Sequence, residues 1–94
     1  MTTINVTAEH IARGERENCE RCPVALAIRD AFPDLAYIEV APEGIGIGPP
    51  GADIYGIEAH IDVPREVQEF IWDFDDSGRG EPFSFDLDYP AVTS

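Results

Sequence analysis

Cys19 and Cys22, three residues apart and directly ahead of Pro23, form the most compact group of reactive side chains in this chain. A Cys-x-x-Cys pair at a helix start supports thiol–disulfide exchange, because the helix dipole favours the thiolate that attacks. A thioredoxin-like pair, however, follows a buried strand in a β-α-β setting, and here the polar run Glu15 to Asn18 precedes it. A tetrahedral zinc site needs two further ligands. His10 and His60 are the only histidines, and neither stands at a zinc-finger spacing from the pair. The cysteines therefore read as a structural pair fixing the start of a helix, a local disulfide in oxidising conditions and thiols in a reducing cytosol. A small redox or zinc-binding module is the alternative; no cofactor and no metal are expected.

Other groups invite chemistry and fall short of it. Gly44-Ile-Gly-Ile-Gly48 resembles a phosphate loop only in its glycines, since no Lys-Ser/Thr pair follows and the neighbouring acids repel phosphate. It reads as a thin strand and turn. His60 between Glu58 and Asp62 has the make-up of an acid–base group, yet no nucleophile stands at a matching spacing. Asp73, Asp75 and Asp76 lack the Asp-x-Asp-x-Asp-Gly order and the distal glutamate of a calcium loop. No enzymatic activity is expected.

Charge is the stronger signal. Nineteen acidic residues stand against six basic ones, all arginine, for a net charge of −13 on 94 residues. Such a field repels nucleic acid and anionic membrane and attracts cationic protein surfaces. Residues 53–88 hold eleven acids against Arg65 and Arg79, a balance of −9. With 44% hydrophobic residues the chain nevertheless lies outside the composition of disordered sequences. Its length suits one domain over residues 1–94. No basic segment with an apolar run opens the sequence, and no apolar stretch approaches the length of a membrane span, so a cytoplasmic protein is expected.

These groups are carried by elements legible in the periodicity. Thr7 suits the N-cap of a short helix ending before Gly14, and a second helix spans about residues 20–32, with Val24, Ile28 and Phe32 recurring at helical spacing. Alternation predicts strands over 35–41, 44–48, 55–63 and 83–89. Between the last two, Val67, Phe70, Ile71 and Phe74 follow the i, i+3, i+4, i+7 rule, from Pro64 to a stop at Gly78. The predicted fold is α+β, a small mainly antiparallel sheet with helices packed on one face, in the order ααβββαβ. With Ile57, Ala59, Ile61, Phe83, Phe85 and Leu87 turned to the helices, the opposite face carries Glu58, His60, Asp62, Ser84, Asp86 and Asp88. The adjacent helix adds Glu66, Glu69, Asp73, Asp75 and Asp76, and Trp72 falls off its apolar stripe, so it suits an anchor for a partner.

Three blocks carry a resemblance: Ile4-Asn-Val-Thr-Ala-Glu-His-Ile, then Asn18-Cys-Glu-Arg-Cys-Pro-Val-Ala-Leu-Ala-Ile, then Val63-Pro-Arg-Glu-Val-Gln-Glu-Phe-Ile-Trp-Asp-Phe-Asp with Glu81-Pro-Phe-Ser-Phe-Asp-Leu. Covering about half the chain, they resemble a family of small actinobacteriophage proteins. The resemblance implies an accessory protein acting inside a bacterial host, and implies no activity. Together with the charge it leads to a binding protein for a basic surface of a host protein, with DNA mimicry as the sharper version. The expected surface comprises Glu58, Asp62, Glu69, Trp72, Asp73, Asp75, Asp76, Asp86 and Asp88. A structural oligomer subunit, assembled through edge strands, is the other alternative.

Overall fold

A computed structural model describes residues 2–18, 20–35, 37–48 and 59–87, and of Ala59 and His60 the backbone alone. The elements are β1 (Thr2–Val6), α1 (Ala8–Arg13), α2 (Pro23–Ala31), β2 (Tyr37–Ala41), β3 (Gly44–Gly48), β4 (Ala59–Ile61), α3 (Arg65–Ser77) and β5 (Phe83–Leu87). The α+β class and the antiparallel strands hold, and so does the order of the predicted elements. Two features differ from expectation. A strand precedes the first helix, and the strands divide into two sheets rather than one.

β5 does not join β4. It pairs antiparallel with β1, Thr2 opposite Leu87 and Val6 opposite Phe83. β1 has only Ile4 and Val6 as inward apolar residues, too few for the alternation to announce a strand, but its β-branched Thr2, Thr3, Ile4 and Val6 suit a pleated, half-buried ribbon. The second sheet runs β2-β3-β4, with Ile38 opposite Ile47 and Ile45 opposite Ile61. The continuous acidic sheet face is therefore not formed. Asp62 follows β4 of one sheet, whereas Ser84 and Asp86 lie on β5 of the other.

One core joins both sheets and the helices. Ile4, Val6, Phe85 and Leu87 enter it from the first sheet, Ile38, Val40, Ile45 and Ile47 from the second. α2 packs against both β1 and β2, burying Val24, Ala25, Ala27 and Ile28. The inward register predicted for β5 holds at Phe85 and Leu87, while Phe83 and Ile61 are half-buried. Ile57 lies outside the described residues. On the solvent side of the first sheet the register pairs hydrogen-bond across the strands, Thr3 Oγ1 donating to Asp86 Oδ1 at 2.9 Å and Ser84 Oγ to Asn5 Oδ1 at 2.6 Å.

α3 buries Val67, Phe70, Ile71 and Phe74, as its stripe predicts. It is fastened near both ends. Gln68 Nε2 donates to the Pro42 carbonyl, in the turn between β2 and β3, at 2.8 Å. At the other end Gly78 takes φ 74°, the left-handed conformation that closes a helix without a Cβ penalty. Among the described residues no helix is long and apolar enough to cross a membrane.

Candidate functional site

α3 is the element on which the expected binding residues converge. Successive residues of a helix turn by about 100°, so Glu66, Glu69, Asp73 and Asp76 form one stripe beside the buried face. All four are exposed. Trp72 lies about 60° round the helix from Glu69 and about 40° from Asp76. The residue is 56% exposed, the one large hydrophobic so placed among the described residues. Glu69 Oε1 accepts from Arg65 Nε at 3.2 Å, an exposed i,i+4 pair worth a few tenths of a kcal/mol and easily exchanged.

Between this stripe and the segment entering β5 runs an open groove of about 850 Å³. Phe70 and Phe83 meet in it with ring centroids 4.8 Å apart, and Phe70 also stacks on Phe74 at 5.9 Å. The far wall is Arg79 to Phe83, with Glu81 adding a fifth carboxylate. That wall lies close because residue 80 is glycine: a Cβ there would collide with the Phe70 ring. The periodicity of α3 could have disclosed its acidic stripe, Glu66 included. The groove could not be read, because it depends on how residues 79–83 return across Phe70.

Asp75, expected at the surface with Asp73 and Asp76, has another task. Its side chain is half-buried, and Oδ1 accepts the Glu17 backbone N–H at 2.9 Å. Glu17 has φ 55°, unusual for a residue with a side chain. Beside it Arg16 donates from Nε and a terminal nitrogen to the Asp75 carbonyl at 3.0 and 2.7 Å, and to the Asp76 carbonyl at 2.7 Å. The last turn of α3 holds no basic residue. The guanidinium from the α1–α2 loop therefore supplies the positive charge that the carbonyl end of a helix favours.

The remaining expected residues do not join the α3 face. Asp62 is exposed after β4, and Asp86 is paired with Thr3. Glu58, Asp88 and Cys19 lie outside the described residues. Cys22 is buried at 5% exposure and is the N-cap of α2, where Sγ accepts the Ala25 N–H at 3.4 Å. Among the described residues no group of three or more His, Cys, Asp or Glu is placed to hold a metal ion.

His10 makes an arrangement that the sequence did not announce. Its ring is buried between Thr7 and Asp30, with Nδ1 3.1 Å from Thr7 Oγ1 and Nε2 2.6 Å from Asp30 Oδ2. A hydroxyl, an imidazole and a carboxylate in line suggest nucleophilic catalysis. The Thr7 backbone N–H, however, donates to Nδ1 at 3.0 Å. That bond occupies the lone pair a general base would need, places the proton of the neutral ring on Nε2, and identifies the group as the cap of α1. Thr7 Oγ1 completes it by accepting the His10 N–H at 3.3 Å.

Models of known protein families, curated proteins and solved structures contain no match to the chain.

Proposed function

We propose that this is a small accessory protein of phage type, without enzymatic activity, that acts in the cytoplasm of a bacterial host by binding a basic surface of a host protein. The observation that carries the reading is Trp72, exposed on a helix fastened at both ends and bordered by Glu69 and Asp76. Tryptophan in the centre of an interface supplies binding energy, and surrounding charges steer the encounter. A second observation supports it. Asp73 and Asp76, both exposed, lie in the C-terminal turn of α3, where the helix dipole disfavours negative charge by about 0.3–1 kcal/mol per residue. Residues kept against a local preference mark functional positions.

DNA mimicry is less well supported than this broader reading. Along an axis rising 1.5 Å per residue, the four stripe carboxylates span about 15 Å, or about 5 Å per charge. A DNA strand carries one charge per about 3.4 Å. The stripe is sparser than a phosphate backbone.

The test is capture of bacterial lysate proteins on immobilised protein, with wild type and Trp72→Ala compared at low and high salt. A protein retained by wild type at low salt, released by salt and weakly held by Trp72→Ala is expected. Equal retention by both chains would remove α3 from the interface.

A further inference from the structure

The groove beside α3 combines features that the stripe alone lacks: concavity, an aromatic floor and a rim of one charge sign. Its occupant has to satisfy all three. A second copy of this chain carries the same −13 and is repelled, as are polyphosphates. A neutral apolar group would cover Phe83 but leave the rim carboxylates uncompensated. A guanidinium meets both demands, since its plane stacks on an aromatic face while its edge donates to carboxylates in a bidentate manner.

We propose that this groove receives an arginine side chain from an extended, basic segment of the partner protein, laid between α3 and residues 79–83. The inference rests on the binding role proposed above and adds the occupant's chemistry. Phe70 is buried, so the half-buried Phe83, which lines the groove and packs on Phe70 and Phe85, is the ring left to meet the guanidinium. Glu66 and Asp73 on one wall and Glu81 on the other supply acceptors. Arg79 lines the same groove and makes no ion pair among the described residues. It is a like charge to the incoming guanidinium, so its removal should strengthen binding, a sign opposite to that of the carboxylate changes.

The experiment is an amide-shift titration of the isotopically labelled protein with three capped peptides: Gly-Gly-Arg-Gly-Gly, its lysine counterpart and its neutral citrulline counterpart. The arginine peptide is expected to give saturable shifts centred on Phe70, Asp73 and residues 79–83, the lysine peptide weaker ones and citrulline none. Glu66→Gln with Asp73→Asn should weaken arginine binding about fivefold, and Arg79→Gln should strengthen it about twofold. Phe83→Leu keeps the apolar filling and removes the aromatic ring; it should lower the preference for arginine over lysine, with the dispersion of the amide spectrum showing that the fold is kept.

Shifts that grow without saturation over all acidic segments, an equal response to citrulline, or an arginine preference unmoved by Phe83→Leu would overturn the groove assignment. Saturable binding centred on Trp72 with the groove silent would also overturn it, and would leave the broader α3 reading standing. Silence at both places would sink the two together.

Discussion

Individual residues in this protein hold the candidate surface in place more than their types suggest. Arg16 is exposed and looks like any surface arginine in sequence, yet three hydrogen bonds join it to the last carbonyls of α3. Hydrogen bonds to a charged group are worth more than neutral ones, and solvent exposure reduces their sum. Arg16→Ala should therefore lower stability by about 1–2 kcal/mol, read as a shift of the urea midpoint; an unchanged midpoint would show that the contact contributes nothing. His10 offers a finer test. Nitrogen shifts of its neutral imidazole should report the proton on Nε2, with Nδ1 as acceptor. A predominant Nδ1–H form would contradict the cap geometry. Neither role was legible: Arg16 meets Asp75 59 positions along the chain and His10 meets Asp30 20 positions along, both by tertiary approach, and the local bond from the Thr7 N–H to His10 takes the place that Glu or Gln holds in a usual capping box.

At the scale of elements, α3 balances structure against surface charge. Replacing Asp73 and Asp76 with asparagine relieves the unfavourable interaction with the helix dipole, so the double variant should gain about 0.5–2 kcal/mol at low salt. A midpoint below that of wild type would mean these carboxylates support the fold. The groove wall depends on Gly80, and Gly80→Ala should cost about 1–3 kcal/mol by forcing Phe70 or the segment above it to shift. Equal stability would show that the wall moves freely. The helices were legible because Val67, Phe70, Ile71 and Phe74, and Val24 and Ile28, repeat at helical spacing around strong stops at Gly78 and Pro33. β1 was not, since a five-residue strand with two inward side chains offers little alternation. Without β1, the alternation leaves β5 to join the one sheet of the other strands, whereas in the fold it pairs with β1. Trp72 was legible as a departure from its helix stripe; the groove was not, because no local pattern records which ring a distant loop covers.

For the whole molecule, a net charge of −13 acts on stability and association together. Added salt should raise the melting temperature by screening self-repulsion while slowing any association steered by charge. The two trends run in opposite directions, so stability alone does not identify a binding face. Trp72 is the single tryptophan of the chain and reports on that face directly. The central measurement is its emission, and its shielding from the neutral quencher acrylamide, as the salt-sensitive protein captured from host lysate binds. The same signal gives association rates for wild type and for Asp73→Asn/Asp76→Asn at several salt concentrations. The account predicts a blue shift, loss of quencher access, and association slowed several-fold in the variant at low salt, with the difference vanishing as salt rises. A partner that binds while Trp72 stays open to acrylamide, and that meets both chains at equal rates at every salt concentration, would contradict it.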